Sequence, residues 1–563
     1  MRSREELIAQ LRTGDVPPVL IIGGGINGVG TYRDLAAQGV PALLVEAGDF
    51  ASGTSSAPSR LIHGGLRYLE TGEAALVRES LTERNLLLKN ACHVVHPQPC
   101  WVPLRSWLGG TAGAVLRFLK LRRTPGRKGA VPVKIGLMLY DRFGTAHQTM
   151  PGHRLLTARQ ARGEVTGLAP DIRAVAEYHD ARITHPERLV MELVADAEAD
   201  CPKAMALNYL RAGAQTGGRI TLTCQITGER FEIAPRIVVN ATGAWVDEVQ
   251  GGFGFNAPLM GGTRGSHLVI RRADIAAALG DKMLYFETDD HRACLIYRME
   301  GDRLLLGTTD IRADDPGDRQ CTEAEIDYLF EVLRPILPGF RLHRSDVVFA
   351  FAGVRPLPRQ DVAATGAISR DHKLVEFAPT PERPFDLLTL VGGKWTTYRV
   401  CAEQIADAVL QRLGRKRQRT TEALAIGGAQ GLPFAPAARE SWARQVARDA
   451  QLPEQRAAAL TARYGSRARA VAAAEAGPQA PGPLTDYSAA EIGLICRDER
   501  VARLEDIVLR RTLIGFEGDL PEGALARLAA IAGDALGWDD SRRAEEQGST
   551  SNLLRTRHLM TIA

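Results

Sequence analysis

Apolar and polar positions follow two rhythms along this chain. Val19-Leu20-Ile21-Ile22 is a short apolar run rich in β-branched residues, the pattern of a buried strand. Ala42-Leu43-Leu44-Val45 reads the same way, as do 206–210 and the run from Ile237 to Asn240. Residues 220–227 and 230–233 read as a polar hairpin. Helical spacing marks other stretches. Residues 72–91 carry Leu76, Leu81, Leu86 and Leu87 on one stripe, and 189–199 and 396–413 are also helical. Near the start, Ser3 and Glu6 form the ends of a capping box before an amphipathic helix that stops near Gly14. From about residue 420 the chain is alanine- and arginine-rich with helical periodicity, broken at 423–430 and 476–483. The pattern predicts an α/β fold followed by an all-helical C-terminal domain.

The first strand runs directly into Gly23-Gly24-Gly25-Ile26-Asn27-Gly28. Gly23, Gly25 and Gly28 have the spacing of a dinucleotide-binding turn. Glycine there allows a tight bend, a close approach of backbone to pyrophosphate, and tight packing of helix on sheet. The following helix N-terminus favours negative charge. Glu46, with Ala47 beside it, closes the second strand roughly 20 residues on, where an acid can accept from a ribose hydroxyl. An acid there disfavours a ribose 2′-phosphate. The cofactor class is therefore NAD or the ADP half of FAD. A later strand ends in Ala241-Thr242-Gly243, small residues suited to a second face of the dinucleotide.

Residues 54–70 choose between those two cofactors. Thr54, Ser55 and Ser56 supply hydroxyls, followed by Arg60, Leu61, His63, Gly64, Gly65, Arg67 and Tyr68. A long ribityl diphosphate needs such donors, and a plain NAD domain does not. The runs 23–30 and 61–70 resemble the FAD-dependent glycerol-3-phosphate dehydrogenases nearly letter for letter, with Pro58 and Arg60 as departures. The likeness continues at Arg264-Gly265-Ser266-His267, where Arg264 replaces the family's lysine, and at Gly307-Thr308-Thr309-Asp310, Ala352-Gly353-Val354-Arg355, Ile368-Ser369-Arg370 and Gly392-Gly393-Lys394-Trp395-Thr396. Ile296-Tyr297-Arg298 departs from the family's usual wall residues.

The resemblance implies an FAD enzyme of the respiratory, quinone-linked type. Its Rossmann-like FAD-binding domain (15–103, 182–262, 346–412) would be interleaved with a mixed-sheet substrate domain (104–181, 263–345). Residues 420–563 would form the helical domain. Flavin contacts are expected from Gly23 to Gly28, Glu46, Ala47, Thr54, Ser55, Ser56, Arg60, Leu61, His63, Gly64, Gly65, Ala241, Thr242, Gly243, Gly393, Lys394 and Thr396. Oxidation of an alcohol on a flavin also needs a base and positive charge near the reduced ring. Lys394 is the expected cation. His267 is the base or orienting group, because histidine titrates near working pH. Arg67, Arg355 and Arg370 are the expected phosphate grip, since arginine forks match phosphate oxygens. Tyr68 and Asp310 line the substrate, and Arg355 also serves the chemistry. The implied substrate is sn-glycerol 3-phosphate.

Length and composition fit that reading. A chain of 563 residues, 45% hydrophobic and 24% charged, with net charge +4, is an ordinary soluble protein with no bulk affinity for nucleic acid. Its eight cysteines are scattered without C-x-x-C spacing, which argues for reduced thiols and against a metal site. No apolar run is long enough to span a bilayer. The N-terminus does not read as a signal peptide, so the expected location is cytoplasmic or on the cytoplasmic face of the inner membrane. Residues 101–140 hold eight cations, no acid before Tyr140, and interleaved Trp101, Trp107 and leucines. That stretch is either an interfacial segment on an anionic membrane or a solvated basic loop. A homodimer is left open. The rival readings are an oxidase that reduces oxygen, a flavin oxidase of amino or hydroxy acids, and a non-catalytic FAD- or RNA-binding protein, the last prompted by the basic run 415–419.

Overall fold

The computed structural model describes residues 2–66, 73–107, 129–144, 150–288, 292–360, 371–475, 486–518 and 520–562. Its first sheet has six strands, in the order Lys373–Phe377, Asp386–Val391, Ile237–Asn240, Val19–Ile22, Ala42–Val45, Met205–Leu207. All neighbours are parallel except the first pair. Val19–Ile22 and Ala42–Val45 are apolar throughout because both faces are covered. Val19 and Ile21 face the helices Ile26–Ala37, Pro186–Asp200 and Tyr398–Arg412, with Tyr32, Leu193 and Ile405 in the same core. Leu20 and Ile22 face the other way, onto Leu7 and Leu11 of the capped helix Arg4–Thr13 and onto a three-stranded sheet. That small sheet joins Leu210–Thr216 to Arg219–Cys224 and Arg230–Ile233, one strand more than the predicted hairpin.

A second, mixed sheet of ten described strands is built around Thr263–Arg271, Arg303–Gly307, Ala293–Arg298, Met283–Glu287, Val95–Leu104 and Ala174–Ile183. Val347–Arg355 pairs along Thr263–Arg271. Both Val95–Leu104 and Val347–Arg355 therefore lie in this sheet, although the sequence-based boundaries place them mainly in the dinucleotide domain. Trp101 is fully buried there and donates to Glu177 at 2.6 Å, so it belongs to the core and not to a surface segment. One face of this sheet carries C-terminal helices, with Phe349 and Phe351 packed among Ile507, Leu528 and Leu554. All eight cysteines are buried free thiols.

The basic run 415–419 is occupied within the fold. Arg415 donates to the Gln38 and Gly39 carbonyls, and Arg417 pairs with Asp34 and Asp407.

Candidate active site

A cleft of about 830 Å³ opens between the two large sheets. That is toward the top of the roughly 300–1,000 Å³ range of small-molecule sites. The Gly23 turn forms one end. Gly23 has φ +111°, and a Cβ there would lie 2.7 Å from the Ala241 carbonyl oxygen. Only glycine lets the two strand ends approach so closely. Gly25, Ile26, Asn27, Glu46, Ala47, Ala241, Thr242 and Gly243 all line this part. The Ile26 N–H donates to Ser55 Oγ at 2.9 Å. Glu46 accepts from the Gly24 and Gly48 N–H groups at 2.7 and 2.8 Å, one through each oxygen. Burial pushes its carboxyl up, while those two donors hold the charged form.

Thr54, Leu61, His63 and Gly65 line the middle of the cleft. Four other residues expected at the cofactor do different work. Gly24 and Gly28 are not on the cleft wall. A Cβ on Gly28 would run into the Gly23 carbonyl, so this glycine lets the helix pack on the turn. Ser56 turns away and donates to the Gly53 carbonyl at 3.1 Å. Gly64 is buried behind the wall, where its N–H donates to Tyr140 Oη and Asp180, and a Cβ would meet Leu81 and Tyr140.

Arg60 is the clearest correction. It is 2% exposed and away from the cleft, with its guanidinium 3.9 Å over the Phe516 ring. It also donates to the Thr184 carbonyl and faces Glu187 at 3.7 Å. A cation beside glycines in the sequence does not reveal which way its backbone turns. Arg60 has φ +55°, and the side chain is carried toward the C-terminal helices.

The other end of the cleft carries charge. Gly393, Lys394 and Thr396 enter it from the turn after Asp386–Val391, with Gly392 and Gly393 at φ +82° and +101°. Lys394 Nζ donates to Ser80 Oγ at 3.4 Å. The helix expected from 396 runs from Tyr398 to Arg412. Arg355 closes its strand with a fixed fork. Nη1 donates to Asp310 at 2.9 Å, and Nη2 to Thr308 Oγ1 and the Thr309 carbonyl at 3.0 and 3.1 Å. The guanidinium lies where a side chain on Gly265 would stand.

His267 sits on the neighbouring strand, 2% exposed, stacked on Phe351 with centroids 4.9 Å apart. Its ring fills the space left by the missing side chain of Gly307. The Ser59 hydroxyl meets His267 Nε2 at 2.8 Å, and Nδ1 is buried with no hydrogen-bond partner among the described residues. Burial pushes the imidazole down to about 3, with the positive charges of Arg355 and Arg60 adding to it. This histidine is a neutral proton acceptor, not a cation. The structure thus brings His267, Arg355, Asp310 and Lys394 to one cleft. Arg67, Tyr68 and Arg370 lie outside the described residues.

Ser59 and Arg319 are among the cleft residues that escaped the sequence reading. Ser59 orients His267, and a hydroxyl between Pro58 and Arg60 gave no sign of it. Arg319 lines the cleft, donates to the Ser52 carbonyl at 2.8 Å and lies 5.4 Å over Trp245. It sits in the polar loop 313–321, which carries no motif.

The cleft fits a flavin adenine dinucleotide. Its glycine turn presents backbone at close approach. Asn27 Oδ1, Arg319 Nε, His267 Nδ1 and Trp395 Nε1 are buried atoms of lining residues without partners among the described residues. Such groups are normally satisfied, so a polar ligand accounts for them. Among the described residues no cluster could hold a metal ion.

Comparison with known proteins points the same way. Residues 18–408 match the FAD dependent oxidoreductase family, and residues 419–543 match the C-terminal domain of alpha-glycerophosphate oxidase. A glycerol-3-phosphate dehydrogenase of Synechocystis sp. is 35% identical over 551 residues, spanning 92% of this chain and 93% of that one. Glycerol-3-phosphate dehydrogenase 1 of Mycobacterium tuberculosis is 32% identical over 528 residues, spanning 90% and 93%. Among solved structures, the glycerol-3-phosphate dehydrogenase from Bacillus halodurans complexed with FAD aligns with a TM-score of 0.74 over 98% of this chain and 97% of that one. At 22% identity this likeness speaks to the fold.

Proposed function

The chain belongs to the FAD-dependent glycerol-3-phosphate dehydrogenase family, and on that premise we propose that it oxidises sn-glycerol 3-phosphate at carbon 2 to dihydroxyacetone phosphate. A quinone is the proposed electron acceptor. FAD, when bound, supplies the two-electron acceptor for the alcohol carbon. The chain's own residues supply the rest. The glycine turn from Gly23 to Asn27 would hold the diphosphate, and Glu46 would hold the ribose. Thr54, Ser55, Leu61, His63, Gly65, Ala241, Thr242, Gly243, Gly393 and Thr396 line the remaining length. Lys394 would place positive charge beside the bound cofactor.

Arg355 grips the phosphate, with Arg67, Arg370 and Tyr68 proposed as its companions. Asp310 holds the Arg355 fork in one orientation, so less ordering is needed when an anion arrives. His267 Nδ1 takes the hydroxyl proton, while Ser59 keeps the ring turned. Burial is the main reason His267 stays neutral, and a dianion on Arg355 offsets the positive charge that adds to it, so binding raises its basicity at the moment it is needed.

The observation that carries the reading is the meeting of a dinucleotide turn with Arg355, Asp310, His267 and Lys394 in one cleft. Anaerobic addition of glycerol 3-phosphate to the purified holoenzyme is the test. Bleaching of the flavin absorbance by this substrate, but not by glycine or lactate, is expected; an unchanged spectrum would overturn the proposal. Oxygen is the second reading for the acceptor, prompted by the match of residues 419–543 to the C-terminal domain of alpha-glycerophosphate oxidase. Peroxide formed in air without quinone would select it.

We also propose that the region 101–140, apart from the end of the sheet strand up to Leu104, makes peripheral contact with the cytoplasmic face of the inner membrane. The helix Ala130–Phe143 exposes Val131, Ile135 and Met138, and Trp107 lies exposed nearby in sequence. These apolar groups flank a stretch whose charges are all positive between Trp101 and Tyr140, as anionic lipid requires. No helix among the described residues is long and apolar enough to cross a membrane.

A further inference from the structure

The wall of the cleft that carries Glu46 is fastened from outside its own sheet. Asp49, three residues on, is 1% exposed. One oxygen accepts from Arg510 Nε at 2.5 Å and Arg511 Nη1 at 2.7 Å; the other accepts from Arg511 Nη2 and Asn208 Nδ2, both at 2.8 Å. The two arginines are consecutive residues of the C-terminal region. They lie in a π-helical turn, Ile507–Arg511, and such widened turns are frequent at functional sites. Arg510 Nη2 continues to Asp506 at 2.6 Å, and Asp506 accepts from the Tyr209 hydroxyl at 2.6 Å. The Tyr209 N–H closes the circuit by donating to the Gly48 carbonyl at 2.7 Å.

This circuit bears on the cofactor through short covalent links. Gly48, whose N–H fixes Glu46, precedes Asp49. The Ala51 N–H donates to the Gly24 carbonyl at 3.0 Å, inside the glycine turn. Loop 46–52 therefore has its position set on one side by the dinucleotide turn and on the other by two guanidinium groups from residues 510 and 511.

We propose that Arg510 and Arg511 are positioning residues for FAD, and that the C-terminal helical region is a clamp retaining the adenosine end of the cofactor. An Asp49 carboxylate without its arginines is a buried unpaired charge. The loop then opens toward water, and Glu46 and the turn lose their fixed spacing.

The test follows flavin release from the full-length holoenzyme without substrate, as the rise of free-flavin fluorescence after dilution. Its outcome is therefore independent of which alcohol is oxidised. R510Q is expected to release FAD at least tenfold faster, with activity lost on dilution restored by added FAD. R510K keeps the charge but cannot bridge the three carboxylates that Arg510 joins, Asp49, Asp506 and Glu505, and is expected to fall between R510Q and the parent. E198Q breaks the Arg500–Glu198 pair at 2.7 Å, at the same seam but without a bond to Asp49. It is expected to lower the Tm while leaving release within twofold. R510Q releasing FAD at the parent rate would overturn the clamp, as would E198Q releasing it as fast as R510Q. Should R510Q fail to fold, an R510K release rate equal to the parent's overturns it alone.

Discussion

Arg355 and His267 owe their places to what two glycines lack. A methyl group on Gly265 occupies the space of the Arg355 guanidinium, and one on Gly307 that of the His267 ring. G265A is expected to raise KM for the phosphorylated substrate tenfold or more while FAD content stays at the parent level, read by steady-state kinetics and flavin absorbance. H267Q keeps the volume but removes the basic nitrogen. It is expected to lower kcat about 10²–10⁴-fold, the usual worth of a positioned base, with KM little changed. The Gly23 turn was legible in the sequence because the spacing of its glycines records close approaches, to Ala241 at Gly23 and to the Gly23 carbonyl at Gly28. Arg60 and Ser56 were not, since hydroxyl and charge content says which groups a loop owns but not which way each points. Arg319 was illegible for a different reason. It reaches the cleft only because the loop 313–321 folds back over Trp245, a tertiary event with no local signal.

At the scale of elements, the four-residue strands and the N-terminal capping box read correctly, because burial on both faces and paired caps leave a direct imprint on sequence. Membership of the sheets did not. Val347–Arg355 is as apolar as a strand of the first sheet, yet it pairs with Thr263–Arg271. Periodicity identifies a strand and is silent on its neighbour. The helix Ala130–Phe143 shows a similar division. Its inner face, with Val133, Leu137 and Tyr140, is core, while Ile135 and Met138 are more than half exposed. The double variant I135E/M138E removes apolar surface and adds repulsion from anionic lipid. It is expected to lose most of its binding in sedimentation with vesicles containing phosphatidylserine, while its Tm in solution stays within about 2 °C, since exposed substitutions are worth about 0.5 kcal/mol.

At the scale of the molecule, burial of histidines makes stability depend on pH. His558 stacks on Phe349, gives its ring N–H to the Ala350 carbonyl at 2.9 Å, and is pushed down to about 3, chiefly by burial. The unfolded chain takes up a proton at this residue below about pH 6.5, and the folded chain refuses it until about pH 3. Its contribution is full above that window and falls as the pH falls through it. H558F keeps the stack and cannot titrate. Relative to the parent, it is expected to recover about 2 kcal/mol of stability on moving from pH 6.5 to pH 5, measured by denaturant unfolding.

The interleaved order of the first sheet also bears on how the protein is made. Val19–Ile22 and Asp386–Val391 flank the same central strand, Ile237–Asn240. A growing chain on the ribosome cannot finish this sheet, or form the turn that bears Lys394, until residue 394 has emerged. Flavin capture is then a late step of synthesis, and translation products that stop before Asp386 leave two strand edges open to chaperones and proteases.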